Sequence, residues 1–577
     1  MRLLRRLVPY IIVLLVLSAA WVWWNRPQQV DMAAYVPADS LVYLEADSLP
    51  EIANGMTHTD AWKALVEPAG IRQSLGQVGW LSRIASWTGI GPADVVVFSR
   101  AQVALVVLGV EAADGGESLN LRPHIALVVE THTGASRTRA AVTNRIGAFA
   151  RRAYGDPHVE ERDADDAHWI TWSSPASPRR IIAATAGSLA VIGNDEGAVR
   201  ACLAAKRGER PSLAGNPEME EMRRRVVTSR ETLAFGFVSS QGAGKLFEVA
   251  AAFYVGQISQ DAQAQSLAAN ILPQMAGKIL GSIGWSTRLA GGEIEDNYFM
   301  TVRNDAATRL RDALDAAPQT NMRFGELLPS GLYSLTRYST RDPLTAWRGL
   351  NFSLSSQLDP VLAVTVAPLL KAALRPYGIE DPDAFLKAIG NEIVTARLDN
   401  RGNSTVLMVE VRDEQTLREF VAKRLGTTKP QVERVGDAEL LSSTDEERGA
   451  ASFVAGTLLL GAKSSVRRCL NVRQQQEQSL TTAQNFQKAL GTASAIGPAH
   501  VITFTEDDAG AREFMAFIAS WRAAQAGTMN QTEMEKQLKE IAYSVSETQL
   551  VEGGLERKTR SSFGQLGALA IQFSPRK

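Results

Sequence analysis

The chain has 577 residues, 45% hydrophobic and 21% charged, with 61 Lys+Arg against 62 Asp+Glu and a net charge of −1. That composition fits about three or four folded domains of roughly 150 residues each and argues against a disordered or multi-pass membrane chain. No basic excess marks a duplex nucleic-acid binder, and two cysteines are too few for a disulfide-rich scaffold or a Cys-based zinc ribbon.

The first element is apolar. Arg2, Arg5 and Arg6 precede Leu7–Trp24, a run without a charged residue that ends in Trp21, Trp23 and Trp24. Its length is about the minimum for crossing a hydrocarbon core. The arginines hold the N-terminus in the cytoplasm, and the indoles favour the far headgroup region. Residues 1–26 are therefore expected to form a cytoplasmic stub and a single-pass anchor in the inner membrane, leaving the bulk of the chain periplasmic or outside. Ser18 and Ala20 also fit a small-residue cleavage site, so a cleaved signal peptide is the rival reading. Either way, residues after Trp24 lie outside the cytoplasm, beginning with a polar linker at 27–34.

From there the landmarks occur twice in the same order. This predicts two divergent copies of one domain, at 35–319 and 324–577, joined near Asp315–Met322. Pro37 and Pro329 each precede a strand, SLVYLEA and GLYSLTRY. Ala61-Trp62 and Ala346-Trp347 each open a helical segment. A strand pair follows, DVVVFSRAQVALVVLGV from Asp94 and EIVTARLDNRGNSTVLMVEV from Glu392, with an extra strand from His124 in the first copy. Helices are expected at Ser136–Arg152 and Asp413–Arg424. Ala186-Gly187-Ser188-Leu189 aligns with Ala455-Gly456-Thr457-Leu458, and the helices that follow contain Cys202 and Cys469. TLAFGFV from Thr232 matches HVITFTE from His500. Long helical stretches are expected at Gly244–Leu280 and Ala509–Lys539, each closed by a diglycine hairpin, Gly291-Gly292 and Gly553-Gly554. Short turns between strands favour mainly antiparallel sheets with helices packed on one face, the α+β class. Leu246, Val249, Ala250 and Phe253, broadened by Phe247 and Tyr254, read as a core-facing stripe.

Sites are sparse. Cys202 and Cys469 share apolar helix faces with Val199 and Leu203, and with Val466 and Leu470. They are expected to be buried small hydrophobes rather than nucleophiles or a disulfide pair. His58, His124, His132, His158, His168 and His500 show no metal-ligand spacing, and five of the six fall in the first copy. The acidic run Glu160–Asp166 lacks the glycine and distal glutamate of a calcium loop. It reads as a solvated hairpin turn, like Glu433–Asp437. Gly281-Ser282-Ile283-Gly284 is too short for a nucleophile elbow. No P-loop or dinucleotide fingerprint occurs. No catalytic, cofactor or metal residue is assigned and no cofactor is expected.

The opening Tyr35-Val36-Pro37-Ala38-Asp39-Ser40-Leu41-Val42-Tyr43-Leu44 and the later Ala-Gly-Ser-Leu-Ala-Val-Ile-Gly-Asn segment ending at Leu203 resemble an uncharacterised bacterial envelope family. Its members place a Pro-Ala-Asp element and an apolar strand behind an N-terminal anchor. The second copy departs with Pro329-Ser330-Gly331. The resemblance implies an envelope location and no catalytic residues. The expected function is non-catalytic binding of an envelope protein, or a scaffold role. The alternative is a carrier for lipid or another apolar ligand held between a sheet and long amphipathic helices.

Overall fold

A computed structural model describes residues 28–71, 93–115, 118–258, 280–302, 323–356, 379–400, 404–426, 429–494, 499–521 and 529–572. Leu7–Trp24 and the junction Asp315–Met322 lie outside them. No helix among the described residues is long and apolar enough to cross a membrane.

The first half of the chain supplies strands β1 (Val42–Ala46), β2 (Gln102–Gly115), β3 (Ser118–Glu130), β4 (His158–Ala164), β5 (Ala167–Ser173), β6 (Arg180–Ala186), β7 (Leu189–Gly193), β8 (Thr232–Val238), β9 (Leu280–Ala290) and β10 (Glu293–Val302). Its helices are α1 (Leu49–Thr57), α2 (Asp60–Leu65), α3 (Ala93–Arg100), α4 (Ala135–Tyr154), α5 (Glu196–Lys206), α6 (Pro217–Val226) and α7 (Ser240–Ile258). The second half supplies β11 (Ser334–Ser339), β12 (Ile389–Arg397), β13 (Thr405–Val411), β14 (Gln431–Val435), β15 (Ala438–Ser442), β16 (Ala450–Val454), β17 (Thr457–Gly461), β18 (Val501–Thr505), β19 (Ser544–Val551) and β20 (Gly554–Ser561). Its helices are α8 (Pro343–Ser356), α9 (Pro382–Ala388), α10 (Glu414–Leu425), α11 (Lys463–Arg473), α12 (Gln484–Ser494), α13 (Asp508–Trp521), α14 (Gln531–Glu540) and α15 (Gly564–Gln572).

The chain forms two compact units. One holds Met1–His58, Arg72–Ala243 and Ser282–Leu289; the other holds Thr59–Ile71, Gly244–Gly281 and Ala290–Lys577. Both are α+β with antiparallel sheets. In the first, the strands lie in the order β9-β8-β1-β2-β3-β7-β6-β5-β4. In the second, the order is β10-β20-β19-β18-β11-β12-β13-β17-β16-β15-β14. From β9 to β4 and from β19 to β14, the strands follow one another in the same connectivity. Isolated bridges also correspond, Pro37 with Ser212 and Pro329 with Ser479.

The middle of each sheet is buried on both faces, where packing on one face was expected. Along β13, Val406 and Met408 enter one core with Leu335, Leu459, Cys469, Phe486 and Phe504. Leu407 and Val409 enter another with Phe385, Leu417, Val421, Leu458 and Leu460. The cause is visible in the unbroken apolar runs VLMV and LLL. A strand with one wet face alternates, whereas one covered twice does not. Helix α11 closes the first core, and α9 with α10 closes the second.

Several local expectations change. DVVVFSR forms helix α3, not the first strand of a pair. Its β-branched run favours a strand, but Val96 is buried and the segment packs on α1 and α4, so tertiary contacts override propensity. The hairpin β2–β3 is thus the counterpart of β12–β13. The β6–β7 turn is Gly187-Ser188, whereas the β16–β17 turn is Ala455-Gly456, a one-residue offset from the expected alignment. Gly291 and Gly292 both adopt positive φ (62° and 85°). The second hairpin turns at Glu552-Gly553, and Gly554 already opens β20. The stretch expected at Ala509–Lys539 is two helices, α13 and α14, and part of Gly244–Leu280 lies outside the described residues. In α7, Leu246 is 46% exposed and does not face a closed core; the side chains of Ala250, Phe253 and Tyr254 lie outside the described residues.

Candidate binding cleft

Helix α9 starts under an aspartate cap, with Asp381 Oδ1 accepting from Ala384 N–H at 3.2 Å. Helix α10 starts the same way, with Asp413 accepting from Thr416 N–H at 3.2 Å, and ends at Gly426 in the left-handed region (φ 65°). The two helices pack through Phe385 and Phe420, whose ring centroids are 4.9 Å apart. Between them opens a cleft of about 660 Å³, walled by these two rings and by Thr416, Glu419, Lys423 and Arg424 of α10, among others. Thr416, Glu419, Phe420, Lys423 and Arg424 recur at helical spacing, so one face of α10 lines it.

Arg424 is the unusual member. Burial pulls its guanidinium below the ordinary arginine value, and no charge among the described residues offsets that. Its Nε is buried without a hydrogen-bond partner, and it makes no ion pair among the described residues. Most arginines nearby are satisfied: Arg418 reaches Glu414 at 2.6 Å and Arg448 reaches Asp445 at 3.2 Å. A half-buried cation without a counter-ion is costly unless something else supplies the negative charge. A planar fork beside two phenyl rings suits an anionic group carried on an apolar body.

Two smaller clefts occupy corresponding places in the units. One, about 450 Å³, is lined by Arg139, Asp163, Asp165, Asp166 and His168. The other, about 400 Å³, is lined by Arg418, Arg434, Asp437 and Glu439. The acidic run thus sits in the β4–β5 hairpin, whose turn residues Asp165 and Asp166 both have φ 56°, as expected for a two-residue turn.

Buried charges also recur in register. Glu45 lies opposite Ala104 in β1, and Arg337 lies opposite Val394 in β11, each the fourth residue of its strand. Glu45 is paired with Arg223 of α6 at 2.7 Å and accepts from the Tyr43 hydroxyl. Burial raises its carboxyl above the ordinary range. Arg337 pairs with Glu392 of β12. At the β10–β20–β19 end of the second unit, Glu295 meets Arg560 at 2.8 Å. Burial there pushes the Glu547 carboxyl up to about 7. Asp507, which accepts from Ser562 N–H at 2.6 Å, is pushed up to about 6 by burial.

Cys202 and Cys469 are fully buried and free, and burial pushes both thiols up to about 12. The histidines are dispersed. His58 hydrogen-bonds Asn54 O at 2.7 Å on α1, and His124 lies 3.2 Å from Glu111 and 3.4 Å from Asp195. His132 contacts Gln102 at 2.9 Å. His158 is exposed beside Glu160, and His168 lies 2.8 Å from Asp163. His500 Nδ1 accepts from Leu550 N–H at 3.3 Å. Among the described residues no group of three or more His, Cys, Asp or Glu side chains could hold a metal ion. Ser282 lies within β9.

No family model, curated protein or solved structure matches this chain.

The Arg424 cleft was missed in the sequence, although a signal exists. Arg418 has Glu414 four residues before it. Arg424 has Phe420 and Val421 at the corresponding places, and so lacks a carboxylate one turn away.

Proposed function

We propose that this chain is a single-pass, membrane-anchored extracytoplasmic binding protein, non-catalytic, built from two divergent copies of one α+β domain at 35–319 and 324–577. The matching strand connectivity, the corresponding Pro37 and Pro329 bridges and the equivalent buried cysteines support the duplication. The charge-free run Leu7–Trp24 behind three arginines supports the anchor and the periplasmic location.

The binding role rests on one observation: the cleft between α9 and α10 holds an unpaired, half-buried Arg424 beside an aromatic wall. An envelope protein presenting a carboxylate next to an apolar side chain would complete it. A photo-crosslinking residue in place of exposed Glu419 tests this in native membranes. One reproducible envelope-protein adduct, lost on Arg424→Ala, is expected; replicates without a common adduct refute it.

A carrier role is the second reading, favoured by the Phe385–Phe420 wall, which suits an amphiphile. Native mass spectrometry of the purified chain would then retain an anionic lipid, released by Arg424→Met.

A further inference from the structure

Helix α4 carries Arg137, Arg139, Arg145, Arg151 and Arg152 and no acidic residue in its twenty positions. All five arginines are exposed. Arg139 turns toward the carboxylates of the β4–β5 hairpin cleft. Phe149 is 55% exposed. Arg145, Phe149 and Arg152 are spaced i, i+4 and i+7 and share one stripe. Helix α6 instead sets Glu218, Glu220 and Glu221 against Arg223, Arg224 and Arg225, and α11, which also lacks acidic residues, pairs its arginines with Glu433, Glu477 and Asp437.

The location of α4 is a separate observation. The Gln102 side chain grips Val30 twice, accepting from its N–H at 2.8 Å and donating to its carbonyl at 3.0 Å. The same Gln102 Oε1 meets His132 Nε2 at 2.9 Å. Arg100 donates to His132 O at 3.5 Å, and the like charge of Arg137 helps burial lower the Arg100 value. Helix α4 begins three residues after His132. Val30 follows Trp24 by six residues in sequence, a reach of at most about 20 Å even when fully extended. The linker is therefore pinned beside the start of this basic helix. Glu130 and Asp47 at the same end bond His132 N–H and the Gln102 amide.

We infer that the Arg145–Phe149–Arg152 face of α4 docks on the anionic phospholipid surface of the bilayer that holds the chain. This rests on the proposed anchor. Guanidinium forks pair with headgroup phosphates in bidentate fashion. Each basic side chain near an anionic surface adds about 1 kcal/mol of attraction, and Phe149 enters the acyl boundary.

The test uses the full chain in phosphatidylcholine nanodiscs, with and without one-third phosphatidylglycerol. Because Cys202 and Cys469 are buried, a fluorophore on Ala153→Cys labels α4 alone, and one on Val432→Cys serves as reference in β14. In anionic discs, spin-labelled headgroups should quench the α4 probe at least about twofold more than the reference, since contact depends on lipid charge. Arg145→Glu with Arg152→Glu, or high salt, should abolish the difference. Equal quenching at both positions, or indifference to charge reversal, overturns the docking. Vesicle flotation separates the two ideas. A chain that floats with neutral vesicles but shows no selective quenching keeps the anchor and loses the docking. One that floats only with anionic vesicles keeps the docking and loses the anchor. Flotation with neither overturns both.

Discussion

Replacing Arg424 by methionine should stabilise the protein. A fully buried charge without a partner costs several kcal/mol in a real protein. Here only Nε is sealed from water and the rest of the group is half-exposed, so solvent screening removes most of that cost. Methionine keeps an unbranched apolar stem of similar length and needs no counter-ion. The expected gain is about 1 kcal/mol, or roughly 2–4 °C in Tm for a unit of this size. Arg448→Met is the control. It removes an exposed ion pair with Asp445 and should change stability by less than about 0.5 kcal/mol. Both are read by urea unfolding of the ligand-free full chain. If Arg424→Met is less stable than the parent by more than the control, the guanidinium is already satisfied, and the case for a ligand in this cleft fails.

Three further outcomes follow from the geometry. Thiol reagents at mildly alkaline pH should leave Cys202 and Cys469 unmodified in the folded chain and label both in urea, because burial holds both thiols near 12; fast labelling without denaturant would contradict the packing of α5 and α11. Leu459→Ala, at a fully buried position in β17, should cost about 2–5 kcal/mol, whereas Val432→Ala at the 57% exposed edge should cost under about 0.5 kcal/mol; equal losses in chemical denaturation would show that the double-sided core is misassigned. Asp507 and Glu547 keep their protons in the fold to about 6 and about 7 but lose them near pH 4 when unfolded, so their contribution is complete below about pH 4 and lost as the pH rises through about 7. Those values give about 4 kcal/mol between about pH 5 and about pH 8 before screening; solvent screening discounts the Glu547 share, and the parent should lose on the order of 2–3 kcal/mol relative to an Asp507→Asn, Glu547→Gln double variant; parallel stability curves would disprove the shifts.

Turn chemistry and hydrophobic period made much of the fold readable. Two-residue turns at Asp165-Asp166 and Ala455-Gly456 place positive φ where Asp, Ala and Gly stand. The runs VLMV and LLL mark strands covered on both faces, although the helices were expected on one. DVVVFSR was misread because three valines in a row favour extended backbone. What folds them as α3 is contact with α1 and α4, which no local window contains. The cleft was less legible than the fold. Its walls, Phe385 and Phe420, lie 35 positions apart, and a missing counter-ion becomes a feature only once three dimensions show that none of the described residues replaces it.

The buried charges and the helix pairs point in different directions. Glu45 and Arg337 share a register but have opposite signs and draw partners from different elements, α6 and β12. A ligand common to both copies would need one sign there, so these pairs fit structural locks better than a shared site. The helix pairs flanking β2–β3 and β12–β13 behave otherwise. In the first unit that pair is α3 with α4, and it carries Arg100, Arg137 and the arginine-rich outer face. In the second it is α9 with α10, where Arg424 lines the same cleft as the Phe385–Phe420 pair. On the duplication proposed above, corresponding helix pairs carry an exposed basic surface in one copy and a recessed arginine in the other. On the functions proposed here, that divergence divides the labour. The first copy meets the lipid surface next to the tether, and the second is left to hold the partner. If so, reversing the α4 arginines should weaken membrane contact without altering crosslinking at position 419, and Arg424→Ala should do the converse; coupled losses would mean that the two surfaces serve one interaction.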